Sequence, residues 1–586
     1  MTRKPGLAAV SLSLVALAVA FFAAPTVAAQ GLGWPQWGRT PQHVASSPVR
    51  AQSAQLILAE ILYDPFVEAM KADNDDELMA HYAVPLVDDS GDVYMAFKTG
   101  TYSGFGNWDT ITWTVRRLHR SDSGFDPVWT FVSDWKPEPL DFTGWEPVFQ
   151  PAISGHDLYV PGLGGTVFRV DTATGVSEGR VNPFATIDPN TFVAGGLAVA
   201  PDGAVIYDAI ALSGTEHSAV GAWLVRVEPE GGASRVDFAT LVPGAPAATD
   251  PCEGTFSRDD LPWPPTPTAV PPTFPCGSQR PGINVVPAIA PDGTIYTLSR
   301  ANFIERYAYL VAVHPDLTPA WSASLRGILN DGCGVLVPID DTNTGCRIGA
   351  AVGVDPATNN RPAGRVSDLG TSSPVVLPDG TILVGTETTY NYARGHLLQF
   401  NGAGSVLATY DFGWDITPAV FPHGGSYSIL VKDNHYFGPT GTSGRFEITS
   451  LSPELQPEWS FPSTQTLDCA RDPSGTMLCV DDGEHPEGFE WCVNQPAVDA
   501  SGVTFAGSED GFLYSVDKSG AQRRALFLDT ALGAAYTPVS IGPDGAIYIQ
   551  NNGILFAVGM ESFVPAPRTP PARTPESPAS TRTVVR

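Results

Sequence analysis

The chain has 586 residues, 43% hydrophobic and 16% charged, enough apolar material for a large core. Its formal net charge of −29, from 33 basic and 62 acidic residues, repels polyanions and excludes general nucleic-acid binding. Its 59 Gly and 54 Pro suit many short strands joined by turns.

Residues 1–29 read as a cleavable export signal. Arg3 and Lys4 precede an apolar run from Leu7 to Ala24, and small residues around Thr26 to Ala29 offer a cleavage site. No cysteine follows for lipid attachment, and no later apolar stretch is long enough to span a bilayer. The expected location is the periplasm or the exterior. Next comes Trp34-Pro35-Gln36-Trp37-Gly38-Arg39, then an apolar segment from Ala54 to Tyr63 with no hairpin of its own.

From Pro85 onward one pattern recurs: a proline, a short apolar run, a tight turn at Asp-Gly or its equivalent, and a second apolar run. It reads Pro287-Ala-Ile-Ala-Pro-Asp292-Gly293-Thr-Ile-Tyr296 and Pro374-Val-Val-Leu-Pro-Asp379-Gly380-Thr-Ile-Leu383. Units begin at Pro85, Pro151, Leu197, Pro287, Pro374, Pro418, Pro496 and Pro538, with altered heads at Leu197 and in the Pro422-His423-Gly424-Gly425 turn. Asp-Gly favours tight antiparallel hairpins, and a leading proline fits a strand's first residue. Each unit continues with a third strand, such as Gly511 to Asp517, and a Gly-containing turn into a fourth. About eight four-stranded units predict an all-β, single β-propeller spanning 30–560. The Leu56–Leu62 region is expected to pair beside Ile547 and Phe556, closing the last blade as its outer strand.

Two inserts interrupt the blades, near 243–282 and 328–369. Seven cysteines suit an oxidising compartment: Cys252 and Cys276 bracket the first insert, Cys333 and Cys346 lie in the second, and Cys469, Cys479 and Cys492 crowd a third region. One disulfide per region is expected, with one thiol left over. No CxxC pair is present, which counts against a zinc knuckle. Residues 561–586 are rich in Pro, Thr and Arg and are expected to form a disordered tail.

The repeats resemble those of the quinoprotein-dehydrogenase-like, or PQQ-like, propellers. Gly162-Leu-Gly-Gly-Thr-Val-Phe-Arg-Val-Asp171-Thr-Ala-Thr-Gly175 and Gly507 to Gly520 match that family's third strand and turn, and Trp34 to Arg39 resembles the segment that precedes its first blade. The resemblance implies the fold and raises an enzyme using pyrroloquinoline quinone and calcium on the propeller axis. That family's adjacent cysteines are missing, its tryptophan-docking signature does not stand out, and the tryptophans read as scattered. No cofactor or metal is therefore expected outside that alternative.

Other signals are weaker. The ten histidines form no HExxH, and no Gly-x-Ser-x-Gly elbow appears. Asp88 to Asp92 and Asp481 to Glu484 offer oxygen ligands but read as a hairpin turn and a solvated loop. The recurring Asp171 and Asp517 read as turn residues. The connections into the innermost strands carry Trp145 and Glu146, Trp414 and Asp415, Trp491 and Asn494, and Tyr536. Aromatic faces beside carboxylates and amides on one rim could hold a sugar or small ligand. The reading favoured over that one is that these aromatics wedge neighbouring blades together. The expected function is a monomeric, exported, non-catalytic binding or scaffolding module for a protein or glycan. The alternatives are the quinone-dependent oxidoreductase and a factor that assembles envelope proteins.

Overall fold

The computed structural model describes residues 31–74, 77–214, 217–341, 345–370, 372–388, 395–436, 444–472, 474–481, 483, 485–491, 493–530 and 535–560. The expected signal of residues 1–29, the expected tail of 561–586 and Cys492 lie outside these residues. Among them no helix is long and apolar enough to cross a membrane.

The chain forms an eight-bladed β-propeller. Blades 1 to 7 span 86–132, 152–181, 198–237, 288–324, 375–410, 419–462 and 497–527. Blade 8 takes three strands from 540–559 and its outermost strand, Leu56–Leu62, from near the other end of the chain. The closing pair is antiparallel, Leu56 opposite Gly559 and Leu62 opposite Ile554.

The turn chemistry follows the repeat. In blade 4, Ala290 N–H bonds Thr294 O and Gly293 N–H bonds Ala290 O, while Asp292 Oδ1 accepts from Thr294 N–H. Gly293 has φ +87°, open to glycine without strain. Asp171 and Asp517 act likewise, Asp517 Oδ1 accepting from the backbone of Ser519 and Ala521. Asp88 closes its hairpin through Ser90 and Asp92 N–H.

The structure departs from the sequence reading in two respects. In blades 3 and 4 a further short strand, Thr191–Val193 or Gln279–Pro281, pairs the far end of the second strand. The tryptophans are also less scattered than they read. Trp129, Trp321 and Trp459, on the outermost strands of blades 1, 4 and 6, each lie against a glycine in the next blade's last turn: Gly175, Gly404 and Gly520. A methyl group on Gly175 would meet the Trp129 ring at 2.6 Å, so the glycine makes the seat. Trp129 and Trp321 donate Nε1–H to Thr172 O and Gly402 O, both at 2.9 Å. The intervening blades carry no tryptophan at this place, which hides the pattern in sequence.

The axis is organised by the segment from Trp34 to Gln52. Each innermost strand turns one backbone edge toward the axis with no strand beyond it. Trp34 exchanges hydrogen bonds with Val87 of blade 1, and Pro35 O accepts from Ile153 of blade 2. The Gln36 amide takes both groups of Val199 in blade 3. Pro41 O, Gln42 O, Val44 O and Ala45 O then accept from Ile289, Val376, Val420 and Val498 of blades 4 to 7, and Gln52 N–H reaches Gly545 O in blade 8. The segment thus visits all eight blades in chain order, and blades 1 to 7 at equivalent positions. It seals the face that carries the Asp-Gly hairpins, here the lower face.

His43, fully buried on this segment, donates Nδ1–H to Pro374 O at 2.9 Å. Burial lowers its pKa from 6.5 to about 4, against the raising effect of the Pro374 bond. Two outcomes follow. Gln36→Ala strips Val199 of both partners and should cost about 2 kcal/mol in urea unfolding, while exposed Gln55→Ala should cost almost nothing. The unfolded chain binds a proton at His43 between pH 6.5 and 4 and the native chain does not, so stability falls as pH drops through that window. His43→Asn should remove about 3 kcal/mol of that fall, read from urea midpoints against pH.

Candidate functional site

With the lower face sealed, the upper face carries the chain's elaborations. It holds the connections from each outermost strand to the next innermost strand. Both inserts and the hairpin of Asp468–Arg471 with Met477–Val480 are such connections. Disulfides staple each: Cys252–Cys276, Cys333–Cys346 and Cys469–Cys479. Three disulfides point to an oxidising, extracellular or periplasmic environment. Every candidate rim residue lies on this face.

The upper end of the axis is crossed by residues 78–83. Ala80–His81 pairs in parallel with Ala535–Tyr536 at the lead-in to blade 8, and Ala80 also bridges Glu146 at the lead-in to blade 2. The buried His81 ring places Nδ1 3.0 Å from Glu146 O and Nε2 3.0 Å from Leu369 O, the latter leading into blade 5. Asn284 Nδ2, ahead of blade 4, lies 3.5 Å from Nδ1. Only a group on the axis can touch lead-ins on opposite sides of the ring. Burial pushes the His81 pKa below 6.5, against the opposing pull of Asp415.

Around this post the rim residues divide. Glu146 is buried and ion-paired to Lys98 Nζ at 2.7 Å; the same nitrogen holds Asp64 at 2.7 Å, and Tyr82 donates to Asp64 at 2.6 Å. Burial works against the Lys98 charge, but Asp64 and Glu146 outweigh it and hold its pKa above the ordinary lysine value. Asp415, left-handed at φ +64°, pairs with buried Lys432 at 3.0 Å. Trp491 is fully buried between blades 6 and 7, its ring 5.2 Å from Tyr514 and 5.9 Å from Phe461. It has the wedge geometry. Asn494 is fully buried; its backbone carbonyl accepts from Thr417 N–H, and its side-chain Oδ1 and Nδ2 have no hydrogen-bond partner among the described residues. The Tyr536 backbone pairs with His81.

Trp145 and Trp414 are half-exposed. The Trp145 ring lies 5.4 Å from His81. Leu369 is exposed between the two lead-ins: a methyl group on Gly144 would strike Leu369 at 2.7 Å, and one on Gly370 would come 3.3 Å from Trp414 Nε1. Leu369 thus lies beside the Trp145 lead-in, and Trp414 lies beside Gly370, the residue after Leu369.

Sequence reasoning missed His81, both lysines and a buried Arg–Asp–Arg group. Asp368, just ahead of Leu369, bonds Arg280 Nη2 at 2.6 Å and Arg300 Nη1 at 2.9 Å, and accepts from Ile283 N–H at 3.0 Å. Burial opposes its charge, but the two guanidiniums bring its pKa down to about 2. The available signal was a charged residue inside an apolar strand: Lys98 in Val93–Gly100, Arg300 in Ile295–Ala301 and Lys432 in Ser426–Tyr436.

The axial residues do not fit a quinone with calcium. The place on the axis is filled by His81 and the backbone around it, and Glu146 and Asp415, the carboxylates nearest it, are already paired to Lys98 and Lys432.

No protein-family model matches the chain, and no curated protein matches it by sequence. Among solved structures it is similar to a europium-containing methanol dehydrogenase at 12% identity and TM-score 0.51, covering 88% of this chain and 89% of that one. It is also similar to the quinohemoprotein alcohol dehydrogenase of Comamonas testosteroni, at 13% identity and TM-score 0.50, covering 92% and 82%. BamB of Moraxella catarrhalis aligns at 11% identity and TM-score 0.39, covering 86% and 98%. At these identities the likeness to the two dehydrogenases is one of fold alone, a β-propeller.

Asp368→Asn leaves two buried guanidiniums without their anion. It should cost about 3–5 kcal/mol in denaturant unfolding. Substituting the exposed Asp141 should leave stability nearly unchanged.

Proposed function

We propose that the chain is a non-catalytic binding module that holds another protein on its upper face, outside the cytosol. The observation that carries this reading is the apolar display on the stapled connections. Val270 and Phe274 on the first insert, Ile348 and Val352 on the second, and Leu478 and Val480 on the hairpin are large apolar side chains open to solvent; Ile348 is 70% and Leu478 57% exposed. Exposed apolar groups concentrated on one face mark a contact surface, and disulfides keep that surface ordered before a partner arrives. Trp145, Leu369 and Trp414 form the centre of the surface, and the buried Glu146, Asp415, Trp491 and Asn494 hold that centre in place. The axis supports the same reading, because its upper end is filled by the chain's own His81.

Cross-linking with mass spectrometry, in the cells that export the protein, tests this. Cross-links to one partner should map to the two inserts and the Met477–Val480 hairpin. A variant combining Ile348→Ser, Leu478→Ser and Val480→Ser should keep its circular dichroism and bind that partner at least about tenfold more weakly. Cross-links confined to the lower face, or unchanged in the variant, would reject the assignment.

A further inference from the structure

The two inserts build a second feature, away from the axis. They pack on each other: Phe256 N–H bonds Ala357 O, Arg347 N–H bonds Trp263 O, and Asn360 Nδ2 donates to Glu253 Oε1 at 3.1 Å. Between them and a turn of blade 4 lies an open cleft of about 270 Å³. That volume lies just under the roughly 300–1,000 Å³ of drug-sized ligand pockets, room for a single small ring. The Cys252–Cys276 and Cys333–Cys346 bridges stand in the two inserts that form it.

Three arginines line the cleft: Arg306, Arg326 and Arg361. In a chain with nearly twice as many acidic as basic residues, such a gathering reverses the prevailing charge. The two lining carboxylates are committed to the walls. Glu253 takes Arg326 at 2.6 Å and Asn360, and Asp355 accepts from Ala357 N–H at 2.8 Å. Arg326 is further fixed over the Tyr307 ring at 3.9 Å. Among the described residues Arg306 bonds the carbonyls of Glu253 and Gly254, both through Nη2. Exposed Arg361 has no ion-pair or hydrogen-bond partner among the described residues. Burial lowers the Arg306 pKa most; Asp355 and Glu253 oppose this, and Arg365 and Arg326 add to the lowering. An incoming anion would offset the burial of that charge.

We infer that this cleft binds a small organic carboxylate, of the size of one uronic acid, with Arg306 and Arg361 donating to the carboxylate and Thr358 and Asn360 beside the remainder. A guanidinium fork matches a carboxylate in two parallel hydrogen bonds. The cleft is roomier than a bare inorganic ion needs, which favours an organic body. The cleft is walled by the same two inserts that carry the proposed protein-binding surface, but its lining residues are different ones, and the inference does not depend on that reading.

The test is isothermal titration of the full chain, at constant ionic strength, with D-galacturonate, D-galactose and inorganic sulfate. Galacturonate and galactose differ at the carboxylate. Galacturonate should bind, and galactose should not. Sulfate should bind more weakly than galacturonate. Arg361→Gln, on an exposed side chain that leaves the fold alone, should weaken galacturonate by about tenfold, and Arg306→Gln by at least as much. No heat at millimolar galacturonate, equal binding of galactose, sulfate binding as tightly as galacturonate, or unchanged affinity in Arg361→Gln would each overturn the inference.

Discussion

A ring of radial sheets leaves one backbone edge per blade facing the axis, and a buried edge needs a partner. The segment from Trp34 to Gln52 meets that requirement for all eight blades, one after another. Its positive φ values at Gly38, Arg39, His43 and Ala45 bend it tightly enough to stay within the ring. Because these bonds run mainly through carbonyls and amide N–H groups, prolines serve in the segment as well as any residue: Pro35 and Pro41 contribute only the acceptor they possess. The lower end of the axis is structural as a result, and the upper face alone is free to vary.

That asymmetry explains where the elaborations occur. Connections on the lower face are short hairpins set by Asp and Gly, with little room for insertion. On the upper face each connection leaves an outer strand and returns to the centre, so added residues lengthen a path already exposed to water. Such additions have little core of their own. In this chain disulfides, the Arg280–Asp368–Arg300 group and insert-to-insert hydrogen bonds supply the order that apolar burial does not.

The repeat was legible because each head carries a local instruction: a proline, an alternation and a turn that only certain residues make. The closing strand was legible too, since Ala54 to Tyr63 is apolar yet has no hairpin partner nearby. The rim was read only in part. Trp145 and Trp414 announce themselves as aromatics beside acids, but the partners of those acids do not. Glu146 meets Lys98 across 48 positions, and His81 reaches Leu369 across 288. Contacts of that span are set by the ring's closure and leave no periodic trace. The seats for Trp129, Trp321 and Trp459 escaped notice because they recur irregularly and depend on glycines in a neighbouring blade.

The clasp of the first and last strands bears on how such a molecule is made. Gln52 and Met560 share a hydrogen bond across 508 positions. During synthesis the pieces needed at the centre and at the seam emerge first and must wait, unpaired, until the final hairpin is complete. Assembly of this kind is slow, because distant pairings cost chain entropy before they repay it. Throughout that wait Leu56–Leu62 is an exposed strand edge, vulnerable to pairing with a neighbouring copy.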